Sequence, residues 1–121
     1  MIQRILMGLI FTLFSTTSIA GEALLSWNPP LEYEDGTLLS PSDITGYKIY
    51  YGQTSGGPYT YFVSVGGTSN SVTIINLAKG NWYFVATTIS IDGLESVYST
   101  EVNKYIKAVK PRSPRNLYVK P

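Results

Sequence analysis

The chain has 121 residues, of which 44% are hydrophobic and 14% charged, with a formal net charge of +1 and neither cysteine nor histidine. Without histidine the commonest general base is missing, and without thiols there are no disulfides, no thiol nucleophiles and none of the usual zinc sites. A Ser-His-Asp triad is impossible.

The first 20 residues have the layout of an export leader. Arg4 gives a positive start and ILMGLIFTLF (5–14) an apolar stretch; STTSIA (15–20) puts the small residues Ser18 and Ala20 at the −3 and −1 positions of a cleavage site. That apolar stretch falls well short of the roughly 20 residues a bilayer crossing needs. Cleavage after Ala20 is therefore expected, giving a secreted, periplasmic or extracellular protein with no transmembrane segment in the mature chain. No cysteine is available to carry a lipid anchor. The remainder is the size of one domain.

From Ala23 onward, short alternating runs are cut by turn residues. ALLSW (23–27) runs into the prolines of NPP, and ITGYKIYYG (44–52) places Tyr47, Ile49 and Tyr51 on one face with Lys48 and Tyr50 on the other. YTYFVSV (59–65) follows the Gly56-Gly57-Pro58 turn, and SVTIINL (71–77) has Val72 and Ile74 on one face. WYFVATTISI (82–91) is read with Tyr83, Val85, Thr87 and Ile89 inward; an Asp92-Gly93 turn then leads to SVYSTEV (96–102) as the closing strand. Helical periodicity is absent from the mature chain. Short strands at this spacing, divided by Gly, Pro, Asn and Asp, argue a sandwich or barrel.

LLSWNPP (24–30), TGYKIYYG (45–52), the L-x-x-G-x-x-Y spacing of LAKGNWY (77–83) and GLESVYSTEV (93–102) together resemble a fibronectin type III domain, over Ala23 to about Ile106. The resemblance implies an all-β, immunoglobulin-like antiparallel sandwich. It makes Trp27 the tryptophan packed between the sheets; Tyr47, on one face of its strand by alternation, is read as a further structural residue. Tyr83 becomes the tyrosine corner and Leu77 the buried leucine of that corner. Lys79-Gly80 stands where the family usually has Pro-Gly. The family's first strand is missing from its usual N-terminal place, because only Gly21-Glu22-Ala23 precedes the second.

That missing strand gives the chain's last segment its interest. Residues 107–121 form a basic, proline-containing tail in which PRSPRNLYV (111–119) resembles the family's opening strand, with Leu117 and Val119 on one face. The tail reads as a loose basic end, as the start of a further domain, as a strand completing its own sheet, or as one donated head to tail to a neighbour. Charge is split along the chain. Residues 21–103 hold eight acids against Lys48 and Lys79, a net of −6, whereas 104–121 hold six cations and no acid.

Chemistry is sparse. EYED (32–35), with Asp43 beyond it, does not have the ligand spacing of a calcium loop and is read as a solvated loop turning at Asp35-Gly36. The glycine pairs precede no helix and so cradle no phosphate. The acidic body and motif-free basic tail do not indicate nucleic acid. Neither cofactor nor metal is expected. With Tyr83 inward, Trp82, Phe84 and Tyr50 would face outward as a candidate surface for a sugar ring or a protein partner; ordinary cross-strand aromatic pairing explains them at least as well. The expectation is a non-catalytic exported binding, adhesion or spacer module, monomeric or self-associating, with a protein or an envelope glycan as partner.

Overall fold

The computed structural model describes residues 21–121, so the leader expected over 1–20 lies outside the described residues. Six strands form: β1 (Gly21–Ser26), β2 (Ile44–Gly52), β3 (Tyr61–Gly66), β4 (Ser71–Leu77), β5 (Gly80–Ser90) and β6 (Val102–Ile106). A short 3-10 turn, Pro41–Asp43, precedes β2. Every pairing is antiparallel, in two sheets ordered β1-β4 and β3-β2-β5-β6. The chain is an all-β, two-sheet sandwich, as the alternating runs imply.

The core lies between the sheets. Ala23 and Ile74 from the small sheet meet Ile49, Trp82, Phe84 and Ile106 from the large one, with Leu77 closing the end. On β2 the alternation reads true: Tyr47 and Ile49 are buried, and Tyr51 packs against the same cluster. Trp27 lies just past β1, half-buried, its ring 5.1 Å from that of Tyr47. Leu77 is fully buried.

Strand β5 corrects one expectation. Trp82 and Phe84 face the core, 6% and 1% exposed, whereas Tyr83 points the other way and is half-buried. Beside the β4–β5 turn the Trp82 indole Nε1–H donates to the Ala78 carbonyl at 2.8 Å. WYFVA has no polar residue to mark a face, because β5 is covered on both sides. Val85 and Thr87 are also buried, on the side away from the small sheet. A strand buried on both faces reads as a continuous apolar run, and alternation cannot assign its register.

The cover on that second side is residues 94–101, overlapping the run 96–102 expected as a regular closing strand. The segment crosses beside β5 as irregular chain, and the strand proper begins at Val102. Its backbone N–H groups at Ser96 and Ser99 donate to the Thr88 and Ala86 carbonyls. In return the Ser96 and Ser99 hydroxyl oxygens accept from the Thr88 and Ala86 N–H groups at 3.0 and 2.9 Å. Side-chain oxygens thus stand in for the carbonyls of a ladder, and the spacing of three sets the segment apart from a pleated strand.

Of the forms open to the tail, a strand completing its own sheet is not the one adopted. Residues 107–121 contain no strand, pair with nothing in their own domain, and leave Leu117 and Val119 each 93% exposed. Three prolines and five like charges in fifteen residues oppose a compact arrangement.

Candidate functional site

A cleft of about 540 Å³ lies at one end of the sandwich. It opens between the loop after β1 and the turn after β5. The loop begins because Pro29 and Pro30 cannot extend the β1 ladder. It then folds into a small hairpin: Tyr33 N–H donates to the Thr37 carbonyl, Leu39 N–H to the Leu31 carbonyl, and Glu32 bridges Leu38. Asp35 holds the tip by accepting from the Thr37 backbone N–H at 2.9 Å and from its hydroxyl at 2.7 Å. Those bonds stabilise the carboxylate and lower the Asp35 pKa.

The opposite wall is the Asp92-Gly93 turn, as its sequence implies. Gly93 sits at φ +82°, a backbone region where glycine has no steric penalty, and Ser90 N–H donates to the Leu94 carbonyl at 2.9 Å. The two walls are joined at their base. Ile91 N–H donates to the Asp43 carbonyl at 2.7 Å, and the Thr45 hydroxyl lies on the Ile89 and Ser90 carbonyls.

Apolar groups form much of the lining, chiefly Leu39, Ile44, Leu94 and Val97, with Tyr33 alongside. Four carboxylates accompany them, Glu32, Glu34, Asp92 and Glu95, and the lining contains no lysine or arginine. The Tyr33 pKa is raised, first by desolvation and then by the nearby Asp43 carboxylate. Glu95 is fixed by two donors, the Tyr50 and Thr87 hydroxyls. They lower its pKa, while the same bond pushes Tyr50 up to about 12. Glu95 is therefore a firmly ionised wall group and a poor proton donor at neutral pH. Among the described residues no three carboxylates converge as a metal site would require.

The aromatic surface expected from sequence is not assembled. Trp82 and Phe84 belong to the core, and only Tyr50 faces outward. Tyr50 instead joins Phe62, 5.8 Å away, and Tyr98, 5.3 Å away; Tyr59 meets Tyr98 edge-on at 5.5 Å. Lys48 lies 5.0 Å over the Phe62 ring. Glu101 anchors this surface to the β2–β3 turn, accepting from the Tyr59 hydroxyl, the Ser55 hydroxyl and the Gly56 N–H. Those donors lower the Glu101 pKa, and Tyr59 is pushed up to about 12.

Sequence reasoning placed the EYED acids in a loop but missed that Glu32 and Glu34 share a cleft with Asp92 and Glu95. Nothing local to either segment carries that information; only the antiparallel pairing of β2 with β5 brings the loops together. Compared with protein-family models and with curated proteins, the chain matches none. Among the described residues no helix is long and apolar enough to cross a membrane.

Proposed function

We propose that this protein is an exported sandwich of the fibronectin type III kind that binds a protein partner and catalyses nothing, receiving a lysine or arginine flanked by apolar residues in the loop-end cleft. The observation that carries the reading is the lining: four carboxylates around apolar walls, with no cation among them. An ionised wall of this kind favours a cationic side chain, and adjoining apolar surface accommodates the aliphatic stem of that side chain and its neighbours. A binding role also agrees with a chain that has no histidine or cysteine and whose best-placed carboxylate is held ionised. Six antiparallel strands in two sheets support the kinship, and the leader-like first 20 residues support export. With Trp82 and Phe84 in the core, a stacking platform for sugar rings is the weaker alternative.

The test is an NMR titration with two short peptides, one alternating lysine and leucine and one alternating glutamate and leucine. The cationic peptide is expected to shift the amides of Tyr33, Leu94 and Val97, and the acidic one to leave them unmoved. Combining Glu34→Gln with Asp92→Asn should weaken binding about tenfold, the effect of removing one or two partly exposed charge contacts. Equal binding of both peptides, or turnover of a polysaccharide abolished by Glu34→Gln, would overturn the proposal.

A further inference from the structure

A two-stranded sheet lies against a four-stranded one, and among the described residues β1 has a neighbour on one side only. Trp27 N–H donates to the Asn70 carbonyl at 3.0 Å, which fixes the alternation along β1. Leu25 and Trp27 direct their backbone groups to β4, so those of Leu24 and Ser26 point to the open side. There, Lys104 Nζ occupies the Glu22 carbonyl at 2.8 Å, and no other described residue supplies a partner to this edge. Beside the edge runs a groove of about 200 Å³, lined in part by Leu25, Trp27, Ile49, Phe84, Ala86 and Val102. Trp27, on its wall, encloses an indole N–H that donates to nothing in the described residues. Open strand edge, apolar groove and orphaned donor coincide.

We propose that this edge accepts residues 116–120 of a second copy of the chain, joining molecules head to tail. The tail is suited to it. Leu117 and Val119 are two apart, fully presented, and on one face when extended. Residues 107–121 carry five cations and no acid, against a net of −5 over residues 21–106, so tail and body attract. Direction makes the contact intermolecular. Gly21 abuts Ile106, a Cβ built there lying 2.5 Å from the Ile106 Cγ2, so the tail leaves beside the start of β1. An antiparallel strand must enter at the Ser26 end instead. The tail's own domain would require it to traverse β1 and turn back, whereas a molecule stacked in line receives it after a linker, 107–115, of up to about 30 Å. The contact is heterologous and does not close on itself, so it grows into chains.

Two variants of the full chain test this. Leu117→Ser with Val119→Ser spoils the donor; Leu24→Pro removes an N–H from the open edge while sparing the β4 ladder. The wild type should show weight-average mass rising without limit as concentration is raised to roughly 1 mM, a range that captures weak association. Each variant alone should stay monomeric, and their equimolar mixture should stop at a dimer, since one competent tail then meets one competent edge. A synthetic peptide of residues 113–121, titrated into the tail variant, should shift the Leu24 and Ser26 amides; this readout holds even where Leu24→Pro misfolds. A wild type monomeric throughout, a mass that stops at two, or a peptide that moves neither amide overturns the proposal. So does a chain that stays monomeric yet sediments with anionic vesicles through its tail.

Discussion

Replacing Phe84 with alanine tests the register of β5, on which both the core and the corrected surface depend. Phe84 is 1% exposed and stacked at 6.0 Å on Tyr51. Removing a buried phenyl ring loses its transfer free energy and leaves a cavity, together about 3–5 kcal/mol. A domain of this size has about 5–15 kcal/mol in all, so the loss takes roughly a fifth of it or more. At roughly 4–8 °C per kcal/mol, the melting temperature should fall by roughly 12–40 °C. The companion is Tyr83→Ala, half-buried on the opposite face, which should cost about 1–2 kcal/mol. Urea unfolding followed by tryptophan fluorescence reads both, with an unchanged slope for each. If Tyr83→Ala costs more than Phe84→Ala, the strand is one residue out of register and the core described here is wrong.

Four further outcomes follow from the geometry. Ser96→Ala and Ser99→Ala should each cost about 1 kcal/mol and raise hydrogen exchange at the Thr88 and Ala86 amides, whose acceptors they remove. Glu95 and Glu101 have folded pKa values below their ordinary 4.5, so their stabilisation is complete above pH 4.5 and drains away as pH falls through the lowered values. Tyr50 and Tyr59, raised from 10.0 to about 12, act in the opposite sense: their contribution holds up to pH 10 and is lost between there and pH 12. Melting temperature against pH should show both arms, and Glu95→Gln with Glu101→Gln should flatten them. Gly67→Ala should destabilise by about 1–3 kcal/mol in a urea melt, because its Cβ would lie 2.2 Å from the Ile44 carbonyl oxygen, a backbone atom with no rotamer to yield.

Where one face is wet, the residues state the fold. Strand β2 has Lys48 and Tyr50 on its other face, its ends match the run 44–52, and its inward set, Tyr47, Ile49 and Tyr51, lies where the pattern puts it. The Asp35-Gly36 and Asp92-Gly93 turns are equally legible, since φ of +88° and +82° at the glycines is what those dipeptides accommodate. Legibility fails on β5, where cover on both sides erases the alternation. It fails again over 94–101, where hydroxyls replace backbone acceptors and a spacing of three replaces two. The candidate cleft is illegible for another reason. Its walls are some fifty residues apart, and their meeting depends on the β2–β5 register, not on any local pattern.

The hydroxyl rungs at Ser96 and Ser99 have a dynamic consequence. Because short side chains do half the bonding there, opening the draped segment is expected to cost less than unfolding either sheet. Leu94, Glu95 and Val97 belong to that segment and also to the cleft. Lifting it would release Tyr50 and wet Thr87, widening the concavity from one flank while the Asp43–Ile91 tether keeps the other in place. A guest larger than the resting space could thus be admitted by breathing of one wall alone.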